Sequence, residues 1–193
     1  MCREQLPVWQ EFYTKYQNDD IEVVTVAIDA QGAEKARPYV KKANATYITL
    51  VDESNRLSQL FSFKAIPNVL LMDGERVLNY WKLGGFDIRK KEFAAIVEAW
   101  VKKPTPEWLA QQTQADPRGG PNHDAAIDYF QRGLDYYHYG NVNEALLEWK
   151  IGRDLEPDNW VIRKQIWAVE HPEKFYDGDV DLAWQKGQIE QGT

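Results

Sequence analysis

The only cysteine of this 193-residue chain is the first candidate for chemistry. Cys2 lies beside Arg3 in the stretch CREQLP, and the chain continues through Leu6 and Pro7 into a helical pattern. A cysteine thiolate is a nucleophile that can attack a disulfide, so this thiol is a candidate redox group. A lone cysteine can also be simply a small apolar residue, or a thiol without a function. One cysteine excludes an internal disulfide framework.

The composition argues against several other kinds of site. The histidines His123, His138 and His171 lie far apart without an acidic or thiol cluster, so no metal site and no cofactor are predicted. The net charge is -7, from 30 acidic and 23 basic residues without a long basic block, which argues against nucleic acid as a partner. No apolar run approaches the roughly 18 residues of a membrane span, so no transmembrane segment is predicted in the chain.

Hydrophobic periodicity in the first hundred residues predicts alternating helices and strands. Apolar residues from Leu6 to Tyr16 recur every three or four positions, as on one face of a helix. The run IEVVTVAID, at 21–29, is typical of a central strand covered on both faces. The later predicted elements are a helix at 33–44, a strand at 47–52, a short helix through LSQLF, a hairpin around Asp73-Gly74 and a helix at 87–101 capped by Asp87. This order implies an α/β fold, with a mixed sheet flanked by helices.

These segments resemble the thioredoxin fold of the TlpA/ResA-like (redoxin) family. The resemblance covers about residues 1–102 and is carried by CREQLP, IEVVTVAID, LVDESNRLSQLF, FKAIPNVLLMDGERV and LGGFDIRKKEFAAIVEAW. In that family a strand ending in W-C-x-x-C-R/K precedes the first of these helices. The resemblance therefore implies a thioredoxin-like sheet from which the first strand is missing.

The resemblance also assigns a role to the cysteine. Cys2 matches the second, resolving cysteine of the family motif, and the attacking thiol is missing. We expect the chain to be N-terminally truncated, with Met1 inside the motif and the intact gene reading W-C-x-M-C-R-E. Such a truncation would leave the strand at 21–29 missing one of its neighbouring strands.

The second part of the predicted site is the segment Ile66, Pro67 and Asn68. Ile66-Pro67 resembles the family's cis-proline segment, which faces the cysteine pair and pairs with an extended substrate strand. Asn68 stands where the family usually has threonine. Taken alone, Pro67 is equally an ordinary proline at a strand edge or strand start. ResA-like proteins carry a glutamate three residues after the resolving cysteine, and that position is Gln5, which cannot donate or accept a proton at ordinary pH.

The remainder of the chain is predicted to be a linker followed by helices. Proline and glycine residues crowd the linker at 103–122, with one helical turn around EWLAQQ. The region 123–193 is predicted to be a small all-α region similar to a tetratricopeptide repeat, with an amphipathic capping helix that begins near Trp160. Arg132 stands where that repeat usually has leucine. The repeat pattern is carried by Tyr129, Gly133, Tyr136, Ala145, Trp149 and Pro157.

Two functions follow from these predictions. The first is a thiol-disulfide oxidoreductase that reduces or exchanges protein disulfides, with Cys2 as the resolving thiol and a protein disulfide or dithiol as its partner. The alternative is a redox-silent thioredoxin-fold binding module that contacts a protein partner, or a second copy of itself, through the helical repeat. No targeting segment is predicted within the sequence as given. The resemblance implies a periplasmic or other extracytoplasmic location.

Overall fold

The structure of the protein is a computed structural model that describes residues 2–103, 105–112 and 119–191. The chain divides into two compact units, Met1–Asp124 and Ala125–Thr193. The first unit mixes helices and strands, and the second is helical in its described part. The coarse prediction of an α/β fold followed by helices is therefore confirmed.

The first unit follows the predicted order of helices and strands. A 3-10 turn at Arg3–Gln5 leads into the first helix, and a further helix lies in the predicted linker, of which residues 104 and 113–118 lie outside the described part of the chain. The helices are α1 (Leu6–Tyr16), α2 (Ala33–Lys42), α3 (Arg56–Phe61), α4 (Lys91–Val101) and α5 (Pro106–Gln112). The strands are β1 (Val24–Ile28), β2 (Ile48–Asp52), β3 (Val69–Met72) and β4 (Leu78–Lys82).

The strands form two separate two-stranded sheets instead of the predicted single mixed sheet. β1 pairs in parallel with β2, and β3 pairs antiparallel with β4. Among the described residues, no strand joins β1 to the β3–β4 hairpin. The prediction that β1 is covered on both faces is wrong at its first residue, because Val24 is 49% exposed.

One hydrophobic core includes residues of the β3–β4 hairpin and the residues that immediately precede β1 and β2. Tyr47, at the start of the β2 segment, and Tyr80 of β4 belong to the same buried cluster as Phe12 of α1 and Val97 of α4. Tyr80 is 1% exposed and Val97 is 2% exposed, so the hairpin and α4 enclose the centre of this unit. Side-chain packing therefore joins the hairpin to the segments that lead into β1 and β2.

Asp73 organises the predicted hairpin through its carboxylate. Its Oδ1 accepts hydrogen bonds from the Glu75 N–H at 3.0 Å and the Val77 N–H at 2.9 Å. These bonds, with that from the Val77 N–H first, lower the pKa of the Asp73 carboxyl. The loop between β3 and β4 is longer than a two-residue turn, and Arg76, with φ of 66°, adopts the left-handed conformation in it. The antiparallel pairing is as predicted.

The second unit is a set of helices, the first two of which pack around Trp149. The described helices are α6 (His123–His138), α7 (Val142–Leu155), α8 (Trp160–Glu170) and α9 (Leu182–Glu190), with a 3-10 turn at Pro172–Lys174. Trp149 is fully buried, and its Nε1–H donates to the Phe130 carbonyl at 3.0 Å. A Cβ on Gly133 would lie 2.9 Å from the Ala145 carbonyl oxygen and closer still to the Trp149 ring. Glycine at 133 thus allows α6 and α7 to approach closely, and the tetratricopeptide assignment stays a prediction.

Candidate functional site

Cys2 is an exposed residue at the start of a tight helical turn. It immediately precedes the 3-10 turn Arg3–Gln5, and its carbonyl oxygen accepts a hydrogen bond from the Gln5 N–H at 3.1 Å. Pro7 lies in the first turn of α1, where a missing backbone N–H costs little. The sequence therefore begins a helix directly after the thiol.

Arg3, the neighbour of the cysteine, is stacked on an aromatic ring of α2. Its guanidinium carbon lies 3.7 Å from the centre of the Tyr39 ring, a cation–π geometry. This contact holds the residue after Cys2 against a second helix. It therefore restricts the turn on one side.

Gln5 ties the same turn to the segment that precedes α4. The side chain is only 3% exposed, and its Nε2–H donates to the Phe86 carbonyl at 3.1 Å. Its Oε1 accepts from the Ile88 N–H at 3.0 Å. An amide can donate and accept at once without a charge, so Gln5 satisfies two buried backbone groups. Its observed role is to join two segments and not to transfer protons.

Phe86 continues this connection to Pro67. The Phe86 N–H donates to the Pro67 carbonyl at 3.1 Å, and the Phe86 side chain is 1% exposed. Its ring lies 4.8 Å from the Phe93 ring and stacks on Trp9 of α1 at 6.1 Å. The peptide bond between Ile66 and Pro67 is cis. The cysteine turn and the proline segment are thus joined by hydrogen bonds through the backbone N–H and carbonyl of one buried residue.

Asn68 makes a different contact from the one expected at a substrate-binding position. Its Oδ1 accepts a short hydrogen bond from the Gly84 N–H. The side chain thereby links the residue before β3 to the residues that follow β4. Asn68, Pro67 and Ile66 are all half-buried, so the segment retains an accessible surface.

A charged cluster lies beside the Gln5 contacts. Arg89 Nη1 donates to Glu4 Oε2 at 2.7 Å, and Arg89 Nη2 donates to Asp87 Oδ2 at 2.7 Å. The Arg89 guanidinium holds the pKa values of the Glu4 and Asp87 carboxyls below their ordinary values, and the pKa of Arg89 is raised in return. Both carboxylates are therefore ionised acceptors near neutral pH, and neither is suited to donate a proton.

Tyr47 anchors the first turn of α1 from the β2 side. Its hydroxyl donates to the Leu6 carbonyl at 3.2 Å. Burial raises the pKa of Tyr47 to about 12, so this donor keeps its proton at physiological pH. The contact adds a third fixed point to the segment that follows Cys2.

The described residues contain neither a candidate metal cluster nor a candidate membrane-spanning helix. In that part of the chain no cluster of three or more histidine, cysteine, aspartate or glutamate side chains could hold a metal ion. No described helix combines the length and apolar character that a membrane crossing requires.

Comparison with known proteins gives one relative. The chain is 24% identical over 85 residues to sporulation thiol-disulfide oxidoreductase A of Bacillus subtilis (strain 168). The match covers 43% of this chain and 52% of the relative, so the chain spans about half the length of that protein. No family model and no solved structure matches the chain. The similarity supports a thioredoxin-like redox family at a coarse level, and it does not favour the redox-silent binding module.

The structure connects the predicted site residues through two residues to which the sequence analysis assigned no such contact. Cys2 and Pro67 belong to segments joined by Gln5 and Phe86, and the catalytic and substrate-binding roles of Cys2, Ile66, Pro67 and Asn68 stay predictions. Phe86 was missed because it contributes a backbone peptide, which every residue type carries. The signal available for Gln5 was the family resemblance, in which its position carries a glutamate, and that signal concerned proton transfer and not a structural contact.

Proposed function

We propose that the chain is part of a thiol-disulfide oxidoreductase in which Cys2 is the resolving thiol and Pro67 presents the substrate strand. The observation that supports this most is the hydrogen-bonded connection from the Cys2 turn through Gln5 and Phe86 to the Pro67 carbonyl. The similarity to a thiol-disulfide oxidoreductase supports the same reaction class. A protein disulfide is the proposed substrate.

The proposed reaction needs two protein thiols. An attacking thiolate forms a mixed disulfide with the substrate and expels the first substrate thiolate. The Cys2 thiolate then attacks the sulfur of the attacking cysteine, which breaks the mixed disulfide and expels the second substrate thiolate. The substrate gains two electrons and two protons, and the two protein thiols become a disulfide. Because Cys2 is the only cysteine, the attacking thiol must lie on another polypeptide segment.

We place that attacking thiol on a further strand that completes the sheet. Within the described residues β1 pairs only with β2, which leaves the other edge of β1 without a partner strand. One face of the same pair exposes apolar side chains, with Val24 at 49%, Ile48 at 48% and Leu50 at 52%. Unpaired edges and apolar faces are features that proteins normally cover. The family resemblance puts this strand immediately before Cys2.

Insulin reduction tests the proposal. The DNA upstream of the Met1 codon is translated, and the chain is produced with the preceding strand and its cysteine. We expect this longer chain to reduce insulin disulfides with dithiothreitol as reductant, above the rate of the reductant alone. A Cys2→Ser variant of it should accumulate a mixed disulfide with the substrate and lose turnover. An upstream sequence without a cysteine, or full activity of Cys2→Ser, would contradict the proposal.

The second unit is proposed to be a tetratricopeptide-like region that contacts proteins. The α7 helix exposes Leu147 at 65% and Ile151 at 42%, one turn apart on the same face. A protein partner or a second copy of the chain would cover such a face. A periplasmic or other extracytoplasmic location rests on the family resemblance and belongs to the same proposal.

A further inference from the structure

We infer that Gln5 is a positioning residue that fixes the geometry between the Cys2 thiol and a substrate chain docked at Pro67. The inference rests on the proposed function. It goes beyond that function by assigning the alignment of the two groups to one buried, uncharged side chain. The sequence alone indicated only that Gln5 cannot act as an acid or base.

Continuous hydrogen bonds connect the Cys2 turn to Pro67. The Gln5 N–H donates to the Cys2 carbonyl at 3.1 Å, and Gln5 Nε2 donates to the Phe86 carbonyl at 3.1 Å. The Phe86 N–H then donates to the Pro67 carbonyl at 3.1 Å. Gln5 thus bonds to the thiol-bearing residue through its backbone and to the proline side of the site through its side chain.

The hydrogen-bonded connection through Gln5 is rigid. Gln5, Phe86 and Ile88 are 3%, 1% and 3% exposed, so water cannot readily replace the bonds between them. The Oε1 bond from the Ile88 N–H fixes the orientation of the amide, because only one of its two ends can accept. Exchange between sulfur atoms depends strongly on alignment, and misplacement by about 1 Å can cost roughly a hundredfold in rate.

The hydrogen bonds of the Gln5 side chain do not depend on pH. A glutamine does not titrate, so the Gln5 connection stays the same across the range in which a thiol ionises. A carboxyl group at position 5 could replace both bonds only when protonated, because an ionised carboxylate cannot donate to the Phe86 carbonyl. Burial would raise the pKa of that carboxyl, as the charged form is disfavoured. The variant Gln5→Glu is therefore a switchable test of the same contacts.

The experiment measures thiol–disulfide exchange at Cys2 in the full chain. The docking probe is a short extended peptide with one cysteine in a disulfide to 2-mercaptoethanol, whose mercaptoethanol sulfur stands in for that of the attacking cysteine. Cys2 attacks that sulfur and releases the peptide thiolate. The small probe is bis(2-hydroxyethyl) disulfide, which yields the same Cys2 adduct without a peptide to dock. The ratio of the two rate constants, followed by mass spectrometry, cancels the titration of the thiol itself.

For Gln5→Ala we expect the peptide-to-small-probe ratio to fall about tenfold relative to the unaltered chain, because a poorly fixed docking geometry lowers only the reaction that depends on it. The matched control is Gln10→Ala. Gln10 lies in α1, the helix that follows Gln5, and its amide also joins a distant segment by accepting from the Thr46 N–H at 2.7 Å. This control should leave the ratio unchanged. Circular dichroism verifies that each variant is folded.

Gln5→Glu should retain a high ratio at acidic pH and lose it as the new carboxyl ionises. A ratio independent of pH in Gln5→Glu, or an unchanged ratio in Gln5→Ala, overturns the inference while leaving the proposed function standing. Glutathione, a thiol with no docking site, gives the reference value of the peptide-to-small-probe ratio. If the ratio for the unaltered chain is no higher than this reference, the peptide does not dock at Pro67. The proposed function and the inference then fail together.

Discussion

The side chain of Gln5 and the backbone of Phe86, separated by 81 positions in the chain, are joined by a buried hydrogen bond of 3.1 Å. The same Gln5 side chain accepts from the Ile88 N–H at 3.0 Å. These two bonds attach the turn after Cys2 to the segment that hydrogen-bonds to Pro67. One buried amide therefore joins the segments that carry the two predicted parts of the site.

Replacing Gln5 by alanine should lower the free energy of unfolding by about 2–4 kcal/mol. The change leaves the Phe86 carbonyl and the Ile88 N–H buried without their partner, and each unsatisfied buried group costs about 1–3 kcal/mol. Urea unfolding followed by tryptophan fluorescence measures the loss. Gln10→Ala, which removes solvent-exposed hydrogen bonds to Thr46, should cost less than half as much. Equal losses in the two variants would contradict the burial argument.

Local patterns predicted the elements of the first unit well, because helix and strand periodicity are properties of neighbouring residues. The predicted helix at Leu6 to Tyr16 has those bounds in the structure, and the Asp73 hairpin is present. The division of the strands into two sheets was not predicted, since strand pairing depends on residues far apart in sequence. The contact between Gln5 and Phe86 could not be predicted for the same reason. The side chain of Gln5 is informative in sequence, but its backbone acceptor is not.

Arg89→Ala should raise the carboxyl pKa values of both Glu4 and Asp87. Arg89 donates to each carboxylate at 2.7 Å and is the main cause of their lowered pKa values. A lowered carboxyl pKa stabilises the folded state above the unfolded pKa, near 4, and this stabilisation is lost as pH falls through the folded pKa. The variant should therefore differ from the unaltered chain at neutral pH and converge with it in acid.

Carboxyl titration by NMR measures both pKa values directly. Arg37→Ala is the control, since Arg37 forms an exposed ion pair with Glu34 of the same helix at 3.1 Å. It should leave the pKa values of Glu4 and Asp87 unchanged. Unchanged pKa values in Arg89→Ala would show that the cluster does not persist in solution.

Tyr47 should titrate late among the ten tyrosines. Burial raises its pKa to about 12, and its hydroxyl donates to the Leu6 carbonyl. Because the folded pKa exceeds the unfolded value of about 10, the associated stability is complete below pH 10 and is lost as pH rises towards 12. Absorbance at alkaline pH, compared between the unaltered chain and Tyr47→Phe, isolates this ionisation. We expect the difference between the two absorbance curves to show no ionisation step near pH 10, the pKa of an unfolded tyrosine. A step at that pH would contradict the burial of the Tyr47 hydroxyl.

Two of the helical glycines of the second unit, Gly133 and Gly187, give opposite predictions for the same substitution. Gly133→Ala should destabilise the protein by about 1–3 kcal/mol, because the added Cβ would meet the Ala145 carbonyl at 2.9 Å and press on the buried Trp149 ring. Gly187→Ala in α9 should instead stabilise it by about 0.5–1 kcal/mol, since nothing lies within 4 Å of the new methyl group. Alanine is the better helix former in both places, so only the packing differs. Thermal unfolding of the two variants measures the difference in stability. A stabilising effect of Gly133→Ala would contradict the close approach of α6 and α7 at Gly133 and Ala145.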